Sequence, residues 1–169
     1  MLHDYTIGKQ VFKKMRIKEH IGASAAISIG IYAATGSGIM AAWSFLAGSL
    51  LDLDHLIDYW EDYSFNIDIS RFISVCYNCQ LIKTRLYLHS FELLLVAAAA
   101  AYITRSSIIA GAALGLAQHI ALDQMVNKVY PASYFLIYRW RKGFYADFVF
   151  RNVPKRVETN GNYKKAGAG

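Results

Sequence analysis

The chain has 169 residues, a formal net charge of +6 and a hydrophobic fraction of 55%. That length allows one domain, and an apolar fraction this high with abundant Ala and Gly excludes the disordered and collagen-like classes. Charge is unevenly placed: Ile21 to Leu51 contains no Asp, Glu, Lys, Arg or His, a run longer than the roughly 20 apolar residues that cross a bilayer once.

About twenty polar or basic residues precede that run, which is not the layout of a cleaved leader. The run is interrupted at Gly36-Ser37-Gly38, where glycine permits a reversal, and so divides into helices over 17–34 and 39–58. Residues 60–84 mix charge, aromatic and β-branched side chains, are too polar to cross a bilayer, and are expected at its surface; Asp58, Glu61 and Asp62 read as solvated there. A second helical pair is expected over 85–103 and 106–126, joined by Thr104-Arg105-Ser106-Ser107. Gly22, Gly30, Gly111 and Gly115 let helix backbones approach closely. Residues 132–150 interleave aromatics with Arg and Lys as an interfacial segment does, and 155–169 read as a loose tail. The expected fold is therefore an all-α integral membrane protein, a single domain over 1–154 built from two antiparallel transmembrane hairpins, four spans in all.

The distribution of positive charge sets an expected orientation. Lys9, Lys13, Lys14, Arg16, Lys18, Arg71, Lys83, Arg85, Lys128, Arg139, Arg141 and Lys142 fall on one side of these spans and Arg105 alone on the other. The first side, with both termini, is expected in the cytoplasm. Basic residues that flank hydrophobic spans favour membrane lipids over nucleic acid as partners. Nothing in the pattern fixes an oligomeric state.

Ionisable groups inside spans are functional candidates, and these collect at one end. His20 opens the first helix; Asp52, Asp54 and His55 close the second; His89 and Glu92 open the third; His119 and Asp123 close the fourth. In antiparallel hairpins those ends share one side. Asp52 with His55, His89 with Glu92 and His119 with Asp123 are three or four residues apart, so each pair lies on one helix face. Imidazoles with carboxylates suit zinc, manganese or iron. From His89 a helix reaches Ile103 after only about 21 Å, against about 30 Å of hydrocarbon, which places the site just below the headgroups. Cys76 and Cys79 have a Cys-x-x-Cys spacing but lack both two further zinc partners and a thioredoxin-like setting.

The stretch Leu46-Ala-Gly-Ser-Leu-Leu-Asp-Leu-Asp-His55, then Leu88-His-Ser90, then Gly115-Leu-Ala-Gln-His-Ile-Ala-Leu-Asp123 with Pro131 beyond, resembles a bacterial inner-membrane family of membrane-bound metal-dependent hydrolases. The likeness covers roughly residues 18–131. It implies His20, Asp52, Asp54, His55, His89, His119 and Asp123 as metal ligands, and a multi-pass protein of the bacterial inner membrane with its site on the cytoplasmic face. Two positions depart from the family pattern: Leu51 stands for a Pro, and Thr84 for the first His of the middle motif, which removes an expected imidazole. Helical His and Asp ligands also resemble, distantly, the zinc-dependent phospholipase C and single-strand nuclease group.

The resulting expectation is hydrolysis of a phosphoester of a lipid or lipid-linked substrate, with one or two divalent ions, zinc first and manganese or iron as alternatives. Glu92 is the candidate general base or extra ligand, and Arg85 the candidate phosphate clamp. The rivals are a non-enzymatic membrane scaffold with a structural metal and a metal transporter. A transporter needs polar groups through the whole bilayer, and here they cluster at one end.

Overall fold

The computed structural model describes residues 17–151 except 64, 66, 67, 79 and 128, with the backbone alone at 77, 156–159 and 162–165. Helix α1 (Ile17–Thr35) reverses into α2 (Gly38–Leu50) at Gly36, whose φ of +66° is the left-handed conformation that glycine adopts freely. Ser37 caps α2, its hydroxyl accepting from the Met40 N–H at 3.2 Å. The chain then tightens into a 3-10 turn, Leu51–Asp54, and continues as α3 (His55–Tyr63), against which α4 (Ile69–Tyr77) packs. An irregular loop leads to α5 (Phe91–Thr104), which turns at Arg105, φ +54°, into α6 (Ser107–Val126). Both reversals stand where the sequence places them. Helix α7 (Leu136–Arg141) and a 3-10 turn at Ala146–Phe148 follow. Strand β1 (Arg156–Thr159) pairs antiparallel with β2 (Asn162–Lys165), within the segment expected to be a loose tail.

Helix α6 packs most extensively on α2 and also touches α5 and α1. Glycine makes that approach possible. A Cβ at Gly115 would stand 2.5 Å from the Ser44 carbonyl oxygen and 2.7 Å from the Ala47 Cβ, and one at Gly111 would collide with the Met40 carbonyl. Gly48 has the same role from the other side, where a Cβ would strike the side chains of Gln118 and Ser24. Gly22 and Gly30, expected to act likewise, face open space.

The expectation of four membrane spans is overturned, because among the described residues no helix is long and apolar enough to cross a membrane. The multi-pass inner-membrane location, the cytoplasmic orientation and the interfacial role of 60–84 and 132–150 fall with it. The physical reason is that an apolar run is not a helix length. The uncharged stretch is cut at Gly36 and again at Leu51, leaving α2 with 13 residues, and α5 has 14; at about 1.5 Å per residue neither approaches 30 Å. Helices α1 and α6, with 19 and 20 residues, turn polar groups inward: His20, Ser24 and Ser28 from α1, Gln118, His119 and Asp123 from α6. Their outer faces, with that of α5, carry exposed apolar side chains such as Ile29, Leu95, Val96 and Ile103.

The apolar core lies in two parts. Leu51, Leu116, Ile120, Val129 and Tyr134 pack beside the ionisable cluster, with Phe91, Leu94 and Phe150 closing over them. Tyr59, Val75 and Leu81 join α3 to α4, with Cys76 against them. Cys79, Lys9, Lys13, Lys14, Arg16 and Lys128 lie outside the described residues.

Candidate metal centre

Five elements bring ionisable side chains to one place. Helix α1 supplies His20, the Leu51–Asp54 turn supplies Asp52 and Asp54, α3 begins with His55, the loop before α5 supplies His89, and α6 supplies His119 and Asp123. His20, His89 and His119 are fully buried, and Asp54, His55 and Asp123 nearly so. The seven expected ligands do converge, and the buried His and Asp groups could hold a metal ion.

Two hydrogen bonds fix the imidazole tautomers. Gly48 lies on the side of α2 that packs against α6, and its carbonyl accepts from His119 Nδ1 at 2.8 Å. Asp54 Oδ2 accepts from His89 Nδ1 at 3.0 Å and from the Leu88 N–H at 3.0 Å. With both Nδ1 atoms donating, the two Nε2 atoms turn inward and stand 3.1 Å apart. Two bare lone pairs repel at that distance, so a proton or a cation belongs between them. Orientation of ligating imidazoles through the far nitrogen, by a carboxylate or a backbone carbonyl, is the usual support of a metal site.

Two carboxylates complete the set. Asp52 Oδ1 lies 3.6 Å from His89 Nε2 and 3.5 Å from His119 Nε2, and Asp123 Oδ2 lies 3.8 Å from each. Ligands about 2.0–2.1 Å from a tetrahedral ion are separated by about 3.3 Å. The five separations from His89 and His119, 3.1–3.8 Å, lie close to that value, and Asp52, His89 and His119 form one group able to hold an ion.

The electrostatics agree. Burial alone would raise the pKa values of Asp52, Asp54 and Asp123, but the surrounding imidazoles outweigh it and hold all three below the ordinary carboxylate range. Burial alone would lower His89; Asp54, Asp52 and Asp123 overcome it and push this imidazole up to about 10. In the absence of a cation His89 thus carries the proton that separates the two rings. The Tyr134 hydroxyl donates to Asp123 Oδ2 at 3.0 Å, and burial together with that carboxylate raises its pKa well above the ordinary value.

The His89 loop is held from three directions. Leu86 has φ +46°, a left-handed conformation that a leucine adopts only under constraint. Asp58 accepts from the Arg85 N–H at 2.9 Å and the Leu86 N–H at 3.3 Å. Arg139, fully buried on α7, donates to the carbonyls of Leu86 at 2.8 Å and His89 at 3.0 Å, and to that of Ser133. Asp58, expected in solvent, is buried, and Arg139, expected to anchor a surface segment, is enclosed behind His89.

The two catalytic candidates are engaged elsewhere. Glu92 caps α7, its carboxylate accepting from the N–H groups of Leu136 at 2.9 Å and Ile137 at 3.1 Å. Arg85 is tied to Asp58 at 3.6 Å and closely to Glu61. Thr84 is fully buried, and its hydroxyl has no hydrogen-bond partner among the described residues.

Sequence reasoning missed Arg139, Tyr134, Asp58 and the Gly48 carbonyl. Asp58 alone carried a signal, lying four residues after Asp54 on the face that turns inward. A pocket lined by His20, Asp52, His55, Leu86, Asp123, Asn127, Tyr134, Val149 and Phe150 opens onto the cluster. No family model matches the chain, and neither a curated protein nor a solved structure matches it.

Proposed function

We propose that this protein is a metal-dependent hydrolase that cleaves a phosphoester. The observation that carries the reading is the pair of inward Nε2 atoms 3.1 Å apart, each fixed by a donating Nδ1 and flanked by Asp52 and Asp123. That donor set suits zinc, with manganese or iron as alternatives. A divalent ion held there by His89, His119, Asp52 and Asp123 would lower the pKa of a bound water toward neutrality and polarise a phosphoryl oxygen. The chain's own contribution is geometric. Asp54 and Gly48 orient the imidazoles, Tyr134 holds Asp123, and Leu86, Val149 and Phe150 form an apolar wall that limits water at the pocket. Glu92 and Arg85 are not part of this reading.

A second reading is a purely structural ion. It is favoured by one feature: His89, His119, Asp52 and Asp123 already supply four protein donors, whereas a catalytic ion keeps an open position.

Elemental analysis of purified protein, beside His119→Ala, tests the site, and hydrolysis assays separate the readings. Aryl phosphate mono- and diesters probe soluble phosphoesters, and phospholipid in mixed micelles probes lipid ones. Metal-dependent turnover lost in Asp54→Asn and His119→Ala, with native circular dichroism, supports the hydrolase. Full activity in those variants sinks it, and bound metal with no turnover on any phosphoester leaves the structural ion.

A further inference from the structure

We infer that the centre holds a second cation, bound by His20 with Asp52 and Asp123 as bridging carboxylates, and that this second position is the one that meets substrate. The inference rests on the metal-site reading above and extends it.

Each carboxylate divides its oxygens between two places. Asp52 presents Oδ1 to His89 and His119 and Oδ2 to His20 Nε2, 4.0 Å away. Asp123 presents Oδ2 to His89 and His119 and Oδ1 to His20 Nε2, 3.2 Å away. The oxygens left over by the first set are thus the ones that His20 faces. The His20 and His119 rings are stacked, with centroids 4.0 Å apart and planes 11° from parallel. Parallel rings that aim Nε2 at the same two carboxylates place their in-plane lone pairs about one stacking distance apart. Two-metal hydrolytic sites space their ions by about 3.5–4 Å.

The two positions differ in what remains open. The first is enclosed by four protein donors. The second has three, and His20, Asp52 and Asp123 all line the pocket together with His55 and Asn127. Three protein ligands with a position open to the pocket is the arrangement of a catalytic ion. Asn127 steadies the bridge, its amide donating to Asp123 Oδ1 at 2.6 Å. Thr84 does not enter this second set, so the imidazole missing at that position does not preclude two ions.

Manganese(II) titration followed by elemental analysis and electron paramagnetic resonance tests the proposal. The expected result is two ions per chain at saturation with a spin-coupled spectrum, falling to one ion with an uncoupled six-line spectrum in His20→Ala. One ion per chain in the parent protein overturns the second position while leaving the first intact, and no ion in the parent overturns both. Two coupled ions persisting in His20→Ala show that another residue holds the second ion and overturn its assignment to His20.

Discussion

The contact between α2 and α6 sets the position of His119, and a pair of glycine substitutions measures how strictly. Gly115→Ala and Gly22→Ala make the same chemical change inside a helix, and each gains about 1 kcal/mol of helix propensity. At Gly22 nothing lies within 4 Å of the new methyl group, so that gain stands alone. At Gly115 the methyl meets the Ser44 carbonyl oxygen at 2.5 Å, Ala47 Cβ at 2.7 Å and the Gly48 backbone nitrogen at 2.9 Å. Backbone cannot rotate away, so the helices must separate. Overpacking of this kind costs about 1–3 kcal/mol, and rigid backbone neighbours place it at the upper end, for a net loss of about 2 kcal/mol. For a chain of this size that lowers Tm by roughly 4–8 °C, against a rise of about 2–4 °C for Gly22→Ala. The same displacement lengthens the bond from His119 Nδ1 to the Gly48 carbonyl, now 2.8 Å, and loss of such an orienting bond weakens metal affinity by about 10-fold or more. Urea unfolding and chelator competition measure the two effects. A Gly115→Ala protein as stable as Gly22→Ala, with parental metal affinity, refutes the reasoning.

Arg139→Met is expected to cost at least about 3 kcal/mol, because it removes the buried donor of three backbone carbonyls, and to weaken metal binding through His89; Arg139→Lys should recover only part of both in unfolding and chelator assays, since an ammonium cannot span the same carbonyls. Glu92→Gln should cost about 1 kcal/mol through the α7 cap and leave metal stoichiometry unchanged by elemental analysis. Asp58 gives a pH signature: burial is the main cause that raises its pKa to about 6 from an unfolded value of 3.8. A raised acid favours the folded state below the unfolded pKa and loses that contribution as pH rises through the folded one, so roughly 3 kcal/mol should disappear between about pH 4 and pH 6.5. Denaturant unfolding over that range should show the slope in the parent and its flattening in Asp58→Asn. The depressed carboxylates Asp52, Asp54 and Asp123 act in the opposite sense, with stability lost only as pH falls below the ordinary carboxylate range.

The convergence of His20, Asp52, Asp54, His55, His89, His119 and Asp123 was legible because helix-end position and three- or four-residue spacing survive any error about surroundings. Two antiparallel hairpins bring the same ends together with or without a bilayer. The membrane reading failed at particular residues. Leu51 looks like a continuation of α2, yet the backbone tightens there into a 3-10 turn, and Asp54 at its end meets Leu88 and His89. Nothing in the uncharged run marks that change. Tyr134 and Arg139 were illegible for a different reason. An aromatic and basic segment has the same composition whether it lies on a surface or folds back over a buried cluster, and only the carbonyls of Leu86 and His89, which have no sequence signature, show that Arg139 belongs inside. Glu92 misled through spacing: three residues after His89, it lies past the Ser90 cap and faces α7 instead.

Charge at the centre connects ion number to the kind of substrate it can receive. Asp52, Asp54 and Asp123 are held below the ordinary carboxylate range, and without a cation His89 is pushed up to about 10. Imidazoles that hold a metal ion are neutral, so the three carboxylates give the loaded centre three negative charges before the ions are counted. One divalent ion that displaces the His89 proton reduces the deficit to one, which still repels a phosphate. A second ion at His20 turns the sum to one positive charge, and a phosphoester anion then becomes the natural partner. Inorganic phosphate should therefore bind the protein carrying two ions and fail to bind the singly loaded His20→Ala protein, as read by isothermal calorimetry at constant ionic strength. Equal phosphate affinity in the two proteins would break the link between the second ion and an anionic substrate.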